Sequence, residues 1–263
     1  MNEIDIIEKN KAFYLSYAPH YDEGRAAFFK QESKRIKTDF ASINQIQPLK
    51  QLTLLDIGCG TGFYSTVAAS QGINTIHCLD LNNSFLKITK TKILKTYPSV
   101  NITCHENDLH SFFDNYLNKM TTKYDVFTMG SVLQYIPNHE SILSKMADLY
   151  SNSIFYITSN KNIMGSVEKL FSKIIIPADY MLHRFIDSPP PPLNLAQKSA
   201  SVDVELKSIK SMFEKLNFDV QVSTYSTYHT TLFNFAQSEL KKIWPSIGTH
   251  FTLLATPKNK ART

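Results

Sequence analysis

Nine residues, Leu54 to Gly62 (LLDIGCGTG), constrain the fold more than any other stretch. An apolar run interrupted by one carboxylate, Asp56, reads as a strand buried on both faces, and it stops abruptly in glycines at 58, 60 and 62. Strands of that kind belong to parallel sheets covered by helices on either side. The chain then keeps alternating. LTLLDIG, INTIHCLD, VNITCHEND, YDVFTMGS and SIFYITSN read as five strands, with FYSTVAASQG, NSFLKITKTKILKTY and HESILSKMADLY as helices among them. Right-handed crossovers leave a doubly wound, three-layer α/β/α arrangement.

The last third reads differently. ELKSIKSMFEKLNF places Leu206, Ile209, Met212, Phe213 and Leu216 at helical spacing, and FDVQVSTYS and HFTLLATP are strands expected to pair antiparallel at a sheet edge. Between the fifth and sixth strands, residues 160–203 contain SPPPPLNL, whose prolines at 189 to 192 impose a stiff extended segment. This stretch reads as an insertion over the carboxyl edge of the sheet. The rival reading, an interdomain linker, is disfavoured because strand-like sequence resumes on both sides. The division expected is a helical N-terminal lid over 1–48 and one domain over 49–263, with the insertion inside it.

Composition narrows the function classes. With 43% hydrophobic and only 19% charged residues, the 263-residue chain can bury a core and is not broadly disordered. The net charge of +5 is spread along the sequence, whereas a nucleic-acid binder clusters its basic residues on one face. The nearest cluster, KITKTKILK, reads as the solvated side of an amphipathic helix. Cys59, Cys78 and Cys104 form no disulfide framework, and no His/Cys spacing suits a metal. The N-terminus lacks the apolar core of a signal peptide, and no run is long enough to cross a membrane, so a cytoplasmic protein is expected.

The glycines carry the functional argument. In an open α/β sheet, ligands bind beyond the carboxyl ends of the strands, where strand order reverses. A glycine turn there brings backbone within contact distance of a ligand, and the helix that follows offers free N–H groups to an anion, whether a pyrophosphate or a carboxylate. The dinucleotide fingerprint G-x-G-x-x-G requires glycine or alanine where this chain has Phe63, which disfavours a nicotinamide oxidoreductase, and the lysine of a P-loop is missing. Asp80 and Asp108 end the second and third strands. The first suits a ribose diol and the second an exocyclic amine; each also suits the role of helix N-cap.

LLDIGCGTG, CLDLN, ENDL and YDVFTMGSVLQYI resemble, in order, the motifs of class I S-adenosylmethionine-dependent methyltransferases over about residues 52–160. The resemblance implies a Rossmann-like seven-stranded sheet with an antiparallel last strand. It implies that Gly58, Gly60 and Gly62 wrap the methionyl part of the cofactor, supported by Asp56. Asp80 would hold the ribose hydroxyls and Leu81 would be a further cofactor contact, Asp108 with Leu109 would hold the adenine, and the stretch from Met129 and Gly130 to Leu133 would wall the methionyl chain. FYLSYAPHYDE further resembles the segment preceding the core in small-molecule enzymes of the biotin- and ubiquinone-pathway type, where it folds over the cofactor. That makes Tyr21 a cofactor contact and Tyr14 and Tyr17 substrate candidates; a packed aromatic cluster is the plainer alternative.

A sulfonium methyl donor asks the protein chiefly for alignment, and for a base only if the acceptor must lose a proton. His183 and His229 are the candidates for such a base, and Tyr135, Tyr225 and Tyr228 for acceptor contacts. After the fourth strand stands MGSV, not the [DN]-P-P-[YFW] that the resemblance associates with DNA-base and glutamine methylation. The expectation is methylation of a small organic metabolite by a monomer or homodimer, with S-adenosylhomocysteine as product, and without DNA, membrane or metal. RNA or protein methylation, and cofactor binding without turnover, stay open as alternatives.

Overall fold

A computed structural model describes residues 3–17, 21–119, 122–160, 204–225 and 250–258. Two helices, α1 (Glu3–Tyr17) and α2 (Tyr21–Ile46), precede the alternating core. The core runs β1 (Thr53–Ile57), α3 (Phe63–Ser70), β2 (Thr75–Asp80), α4 (Asn83–Thr96), β3 (Asn101–Glu106), the short α5 (Leu109–Phe112), β4 (Val126–Gly130), α6 (His139–Leu149) and β5 (Ile154–Asn160). After residues 161–203, α7 (Leu206–Lys215), β6 (Phe218–Tyr225) and β7 (His250–Pro257) complete the described elements.

The seven strands form one sheet in the order β3-β2-β1-β4-β5-β7-β6. The first five are parallel, and β7 runs antiparallel to both β5 and β6. This is the architecture expected from the alternation, down to the antiparallel pair at one edge. Strand order reverses beside β1, which lies between β2 and β4.

The pleat of β1 explains the layering. Leu54 points to the face covered by α2, α3 and α4, while Leu55 and Ile57 point to the face covered by α5, α6 and α7. On the first face Ile36, Phe40 and Ile43, at helical spacing along α2, are fully buried. Burying each contributes about 1.5–3 kcal/mol, which fastens α2 to the sheet. A polar cluster lies beside them. The Arg35 guanidinium donates to Asp39 at 3.2 Å and to the Tyr156 hydroxyl at 3.0 Å, and it also meets Glu32 and Thr252. The Tyr156 hydroxyl in turn donates to Asp39 at 2.7 Å.

α4 is amphipathic in the expected way. Phe85, Leu86, Thr89 and Ile93 are buried, whereas Lys87, Lys90 and Lys95 are exposed. Among the described residues no helix is long and apolar enough to cross a membrane, and no group of three potential metal ligands occurs.

Candidate functional site

The loop after β1 is held from three sides. Backbone N–H groups of Gly58 and Cys59 donate to the Leu79 carbonyl at the end of β2, at 2.8 and 3.1 Å. Gly60 N donates to Asp80 Oδ2 at 2.8 Å, and the Thr89 hydroxyl of α4 donates to the Gly60 carbonyl at 2.8 Å. Below the loop, Asp56 accepts from Ser65 N (3.1 Å), the Ser65 hydroxyl (2.5 Å) and the Thr128 hydroxyl (2.8 Å). A carboxylate at 1% exposure thereby pins the first turn of α3 to β1 and β4.

The three glycines all have positive φ: +63° at Gly58, +54° at Gly60 and +78° at Gly62. Their surroundings differ. A Cβ at Gly62 would lie 2.5 Å from Thr89 Cγ2, and one at Gly58 would lie 2.2 Å from Val132 Cγ2. A Cβ at Gly60 would meet nothing nearer than Tyr21 Cε1 at 4.0 Å. Gly58 and Gly62 are glycines because neighbouring side chains pack against them. Gly60 alone faces open space.

That space is a cavity beyond the carboxyl ends of β1, β2, β3 and β4, closed on its far side by α1. Of the residues expected to hold a cofactor, Gly58, Gly60, Asp80, Leu81, Asp108, Leu109, Gly130 and Tyr21 line it, and so do the substrate candidates Tyr14 and Tyr135. Asp56, Gly62 and Met129 do not; they lie behind the wall, and Met129 is fully buried in the core. Tyr17 closes α1 and Tyr225 closes β6, but their side chains lie outside the described residues, as do Tyr228, His183 and His229.

Asp108 proves to be both cap and wall: its Oδ1 accepts from Ser111 N at 2.9 Å while the residue faces the cavity. Asp80 is not a cap. That place is taken by Asn82, and Asp80 instead accepts from the backbone of Gly60 and, at 2.9 Å, of Asn82. Burial pushes the Asp80 carboxyl up to about 6 against the lowering effect of those backbone donors, and burial also lifts Asp56 to about 6. Near neutral pH both are mainly ionised.

Several wall residues were not foreseen. Ile7, Asn10 and Lys11 come from α1, whose position over the sheet no local pattern encodes. His110 follows Asp108-Leu109 directly, and its Nε2 donates to the Pro137 carbonyl at 2.8 Å. Ser131, inside the stretch expected to wall the methionyl chain, holds an uncommon φ of +56°, braced by Gln134 Nε2 donating to its carbonyl at 2.9 Å. The aromatic rings of Tyr14, Tyr21, Phe85 and Tyr135 touch one another, with Tyr14 at 5.6 Å from Tyr135 and Tyr21 at 5.2 Å from Phe85. The start of α2 is tied to the glycine loop as well. Asp22 accepts from the Thr61 hydroxyl at 2.5 Å and pairs with Lys92 at 2.6 Å, and Lys92 donates to the Thr61 carbonyl at 2.8 Å. Phe63, the residue that breaks the dinucleotide fingerprint, stacks on Phe29 of α2 with ring centres 4.3 Å apart.

Comparison with known proteins agrees with this geometry. Residues 55–152 match a family model described as a methyltransferase domain. A ubiquinone biosynthesis O-methyltransferase of Shewanella sp. strain ANA-3 is 29% identical over 131 residues, covering 49% of this chain and 50% of that protein. One from Erwinia tasmaniensis is 25% identical over 189 residues, covering 65% and 73%. The chain thus spans about half the length of the Shewanella relative it matches. Among solved structures, magnesium protoporphyrin IX methyltransferase from Synechocystis PCC 6803 with bound S-adenosylmethionine shares the fold, with a TM-score of 0.54 at 13% identity over 94% of this chain and 97% of that one.

Proposed function

We propose that the chain is a class I S-adenosylmethionine-dependent methyltransferase that transfers a methyl group from this cofactor to oxygen, nitrogen or carbon of a small organic acceptor, a reading supported by the methyltransferase-domain match over residues 55–152 and by the ubiquinone biosynthesis O-methyltransferases it resembles. One observation supports the reading above the others. Gly60 offers bare backbone to a cavity in whose wall two carboxylates, Asp80 and Asp108, stand at the ends of adjacent strands. The space a Cβ would occupy at Gly60 is left open for a ligand, which is the fit the cofactor requires.

In this reading Gly58, Gly60 and Gly130 hold the methionyl portion by backbone contact, Asp80 the ribose, and Asp108 and Leu109 the adenine, with Leu81 as a further cofactor contact. Asp56, Gly62 and Met129 act from behind the wall by fixing the loop and the ends of β1 and β4. Tyr21 and Tyr14 close the cavity over the reacting centre and exclude water, with residues 1–48 serving as the lid on a domain of 49–263 that includes the 160–203 insertion. When bound, the sulfonium supplies an activated methyl group. The chain's own contribution is alignment, which can lower a barrier by ~7–11 kcal/mol. His183 and His229 are proposed as bases for acceptors that must release a proton, and Tyr17, Tyr135, Tyr225 and Tyr228 as acceptor contacts.

A small acceptor is favoured over nucleic acid by the roof that α1 makes over the cavity. The proposal extends to a cytoplasmic monomer or homodimer. The test is a thermal-shift measurement with S-adenosylmethionine and S-adenosylhomocysteine, followed by incubation with a metabolite extract and mass spectrometry. Stabilisation by both ligands and one species heavier by a methylene group are expected. Absence of any stabilisation refutes the cofactor assignment.

A further inference from the structure

The basic stretch KITKTKILK of α4 is solvated at Lys87, Lys90 and Lys95, but Lys92 departs from that pattern. Its Nζ lies 2.6 Å from Asp22 Oδ2 and donates to the Thr61 carbonyl at 2.8 Å, while the Thr61 hydroxyl donates to Asp22 Oδ1. The three residues close a ring that joins α4, α2 and the glycine loop. Thr61 needs both partners. It is 2% exposed and precedes Gly62, the N-cap of α3, so helical bonding makes no use of its carbonyl. Phe85, Thr89 and Lys92, spaced i, i+4 and i+7, form one stripe of α4. Thr89 donates to the Gly60 carbonyl at 2.8 Å, and the Phe85 ring meets Tyr21 with centres 5.2 Å apart. One side of α4 therefore grips the loop at Gly60 and Thr61 and also the first two residues of α2, Tyr21 and Asp22. Of those four, Gly60 and Tyr21 line the cavity, and Tyr21 Cε1 is the nearest heavy atom, at 4.0 Å, to the place of a Cβ on Gly60.

We infer that Lys92 is a positioning residue: by clamping Asp22 to Thr61 it sets the Tyr21 ring over Gly60, and so governs how readily the cavity opens to release what it holds. The inference rests on the cofactor reading above. Lys92 itself is not in the cavity wall, so it acts on a ligand through the residues it holds. Apolar packing between the same elements would tolerate small slides, whereas hydrogen bonds lose strength steeply with distance and angle and fix the start of α2 against the loop. Tyr21 in turn meets Tyr14 of α1, with ring centres 6.4 Å apart, so the clasp reaches the roof of the cavity as well. The side chains of Lys92 and Asp22 are 32% and 42% exposed, and an ion pair so open to water holds only weakly. A weak clasp suits a roof that must open to let product leave.

The test measures release of S-adenosylhomocysteine from the immobilised full chain by surface plasmon resonance. Lys92→Met keeps the length of the side chain and removes its charge. It should speed release about three- to tenfold, the loss expected for a hydrogen bond to a charged group partly open to solvent, with the association rate little changed. Lys92→Arg, which keeps the charge and the donors, should release at close to the wild-type rate. Tyr21→Leu should also release faster, and adding Lys92→Met to it should change nothing further, because the clasp then has no ring to hold. Wild type supplies a reading free of substitution: raising salt from about 0.02 to about 0.5 M screens the pair and should speed release. Lys92→Met should respond less to the same change. Release at the wild-type rate in Lys92→Met overturns the role of Lys92, and so does a penalty that adds fully to that of Tyr21→Leu, which would make Lys92 a brace of the loop alone. A wild-type release rate indifferent to salt overturns it too, and that arm decides should Lys92→Met not fold. Failure of the wild type to bind S-adenosylhomocysteine at all would remove the cofactor reading together with this one, whereas equal release by wild type and Lys92→Met removes only the role of Lys92.

Discussion

Replacing Gly60 with alanine separates a loop that is merely tight from one that holds a ligand. The new methyl group would sit at a backbone φ of +54° with no heavy atom nearer than 4.0 Å. The folded protein therefore pays only for the left-handed conformation, about 1–2 kcal/mol. For a chain of this size that corresponds to a fall in melting temperature of roughly 2–8 °C. Gly62→Ala bears similar strain, at φ +78°, and also drives its Cβ to 2.5 Å from Thr89 Cγ2 and 2.9 Å from Thr89 Oγ1. Overpacking adds about 1–3 kcal/mol, for a total of roughly 2–5 kcal/mol. Stability and ligand affinity should consequently change in opposite order. In urea denaturation Gly62→Ala is the more damaged protein; in calorimetry with S-adenosylhomocysteine, at a temperature where both are folded, Gly60→Ala is the one that loses tenfold or more of its affinity (about 1.4 kcal/mol). Gly60→Ala binding as tightly as wild type would show that the space beside this glycine holds no ligand, and the cavity reading would fail with it.

Other consequences are as direct. Affinity for S-adenosylhomocysteine should fall as the pH drops below about 6, because the Asp80 carboxyl titrates near that value in the free protein and accepts ligand hydrogens only when ionised; Asp80→Asn should bind weakly with a flatter pH profile. Stability of the free protein has the reverse dependence on these groups. The fold binds the protons of Asp56 and Asp80 more tightly than an unfolded chain, whose carboxyls titrate near 3.8, so their combined contribution turns less favourable as pH rises from about 4 to about 6, as thermal melts across that range can record. Arg35→Ala leaves Glu32, at 2% exposure, without its cation and should cost about 3–5 kcal/mol in urea denaturation. Asp22→Ala breaks a half-exposed pair with Lys92, worth about 0.2–1 kcal/mol, and removes the acceptor of the buried Thr61 hydroxyl, worth about 1.5–3 kcal/mol; a loss of about 2–4 kcal/mol is expected in urea denaturation, and trypsin should cleave at Lys30 sooner once the start of α2 is untied from the glycine loop.

The sequence alone determined the sheet and the order of its motifs. Buried parallel strands are written in contiguous β-branched runs, and helices between them in a period that the local chain must obey, so β1 to β5 and the β6–β7 pair could be read before any coordinates. Asp80 and Asp108 were legible for the same reason: a strand end is a local event. Only the tertiary structure decided which of the three loop glycines has open space at its Cβ position, because Val132 and Thr89, the neighbours that exclude a side chain at Gly58 and Gly62, are far off in the chain. It also decided which residues of α1 (Ile7, Asn10 and Lys11) reach the cavity wall, that Asp22 reaches Lys92 and Thr61, that Asp80 braces the loop and does not cap α4, and that Nδ2 of Asn82 meets no acceptor among the described residues. Each of these depends on distances between segments that are remote in sequence. Local propensity carries no record of such distances; packing across the sheet sets them.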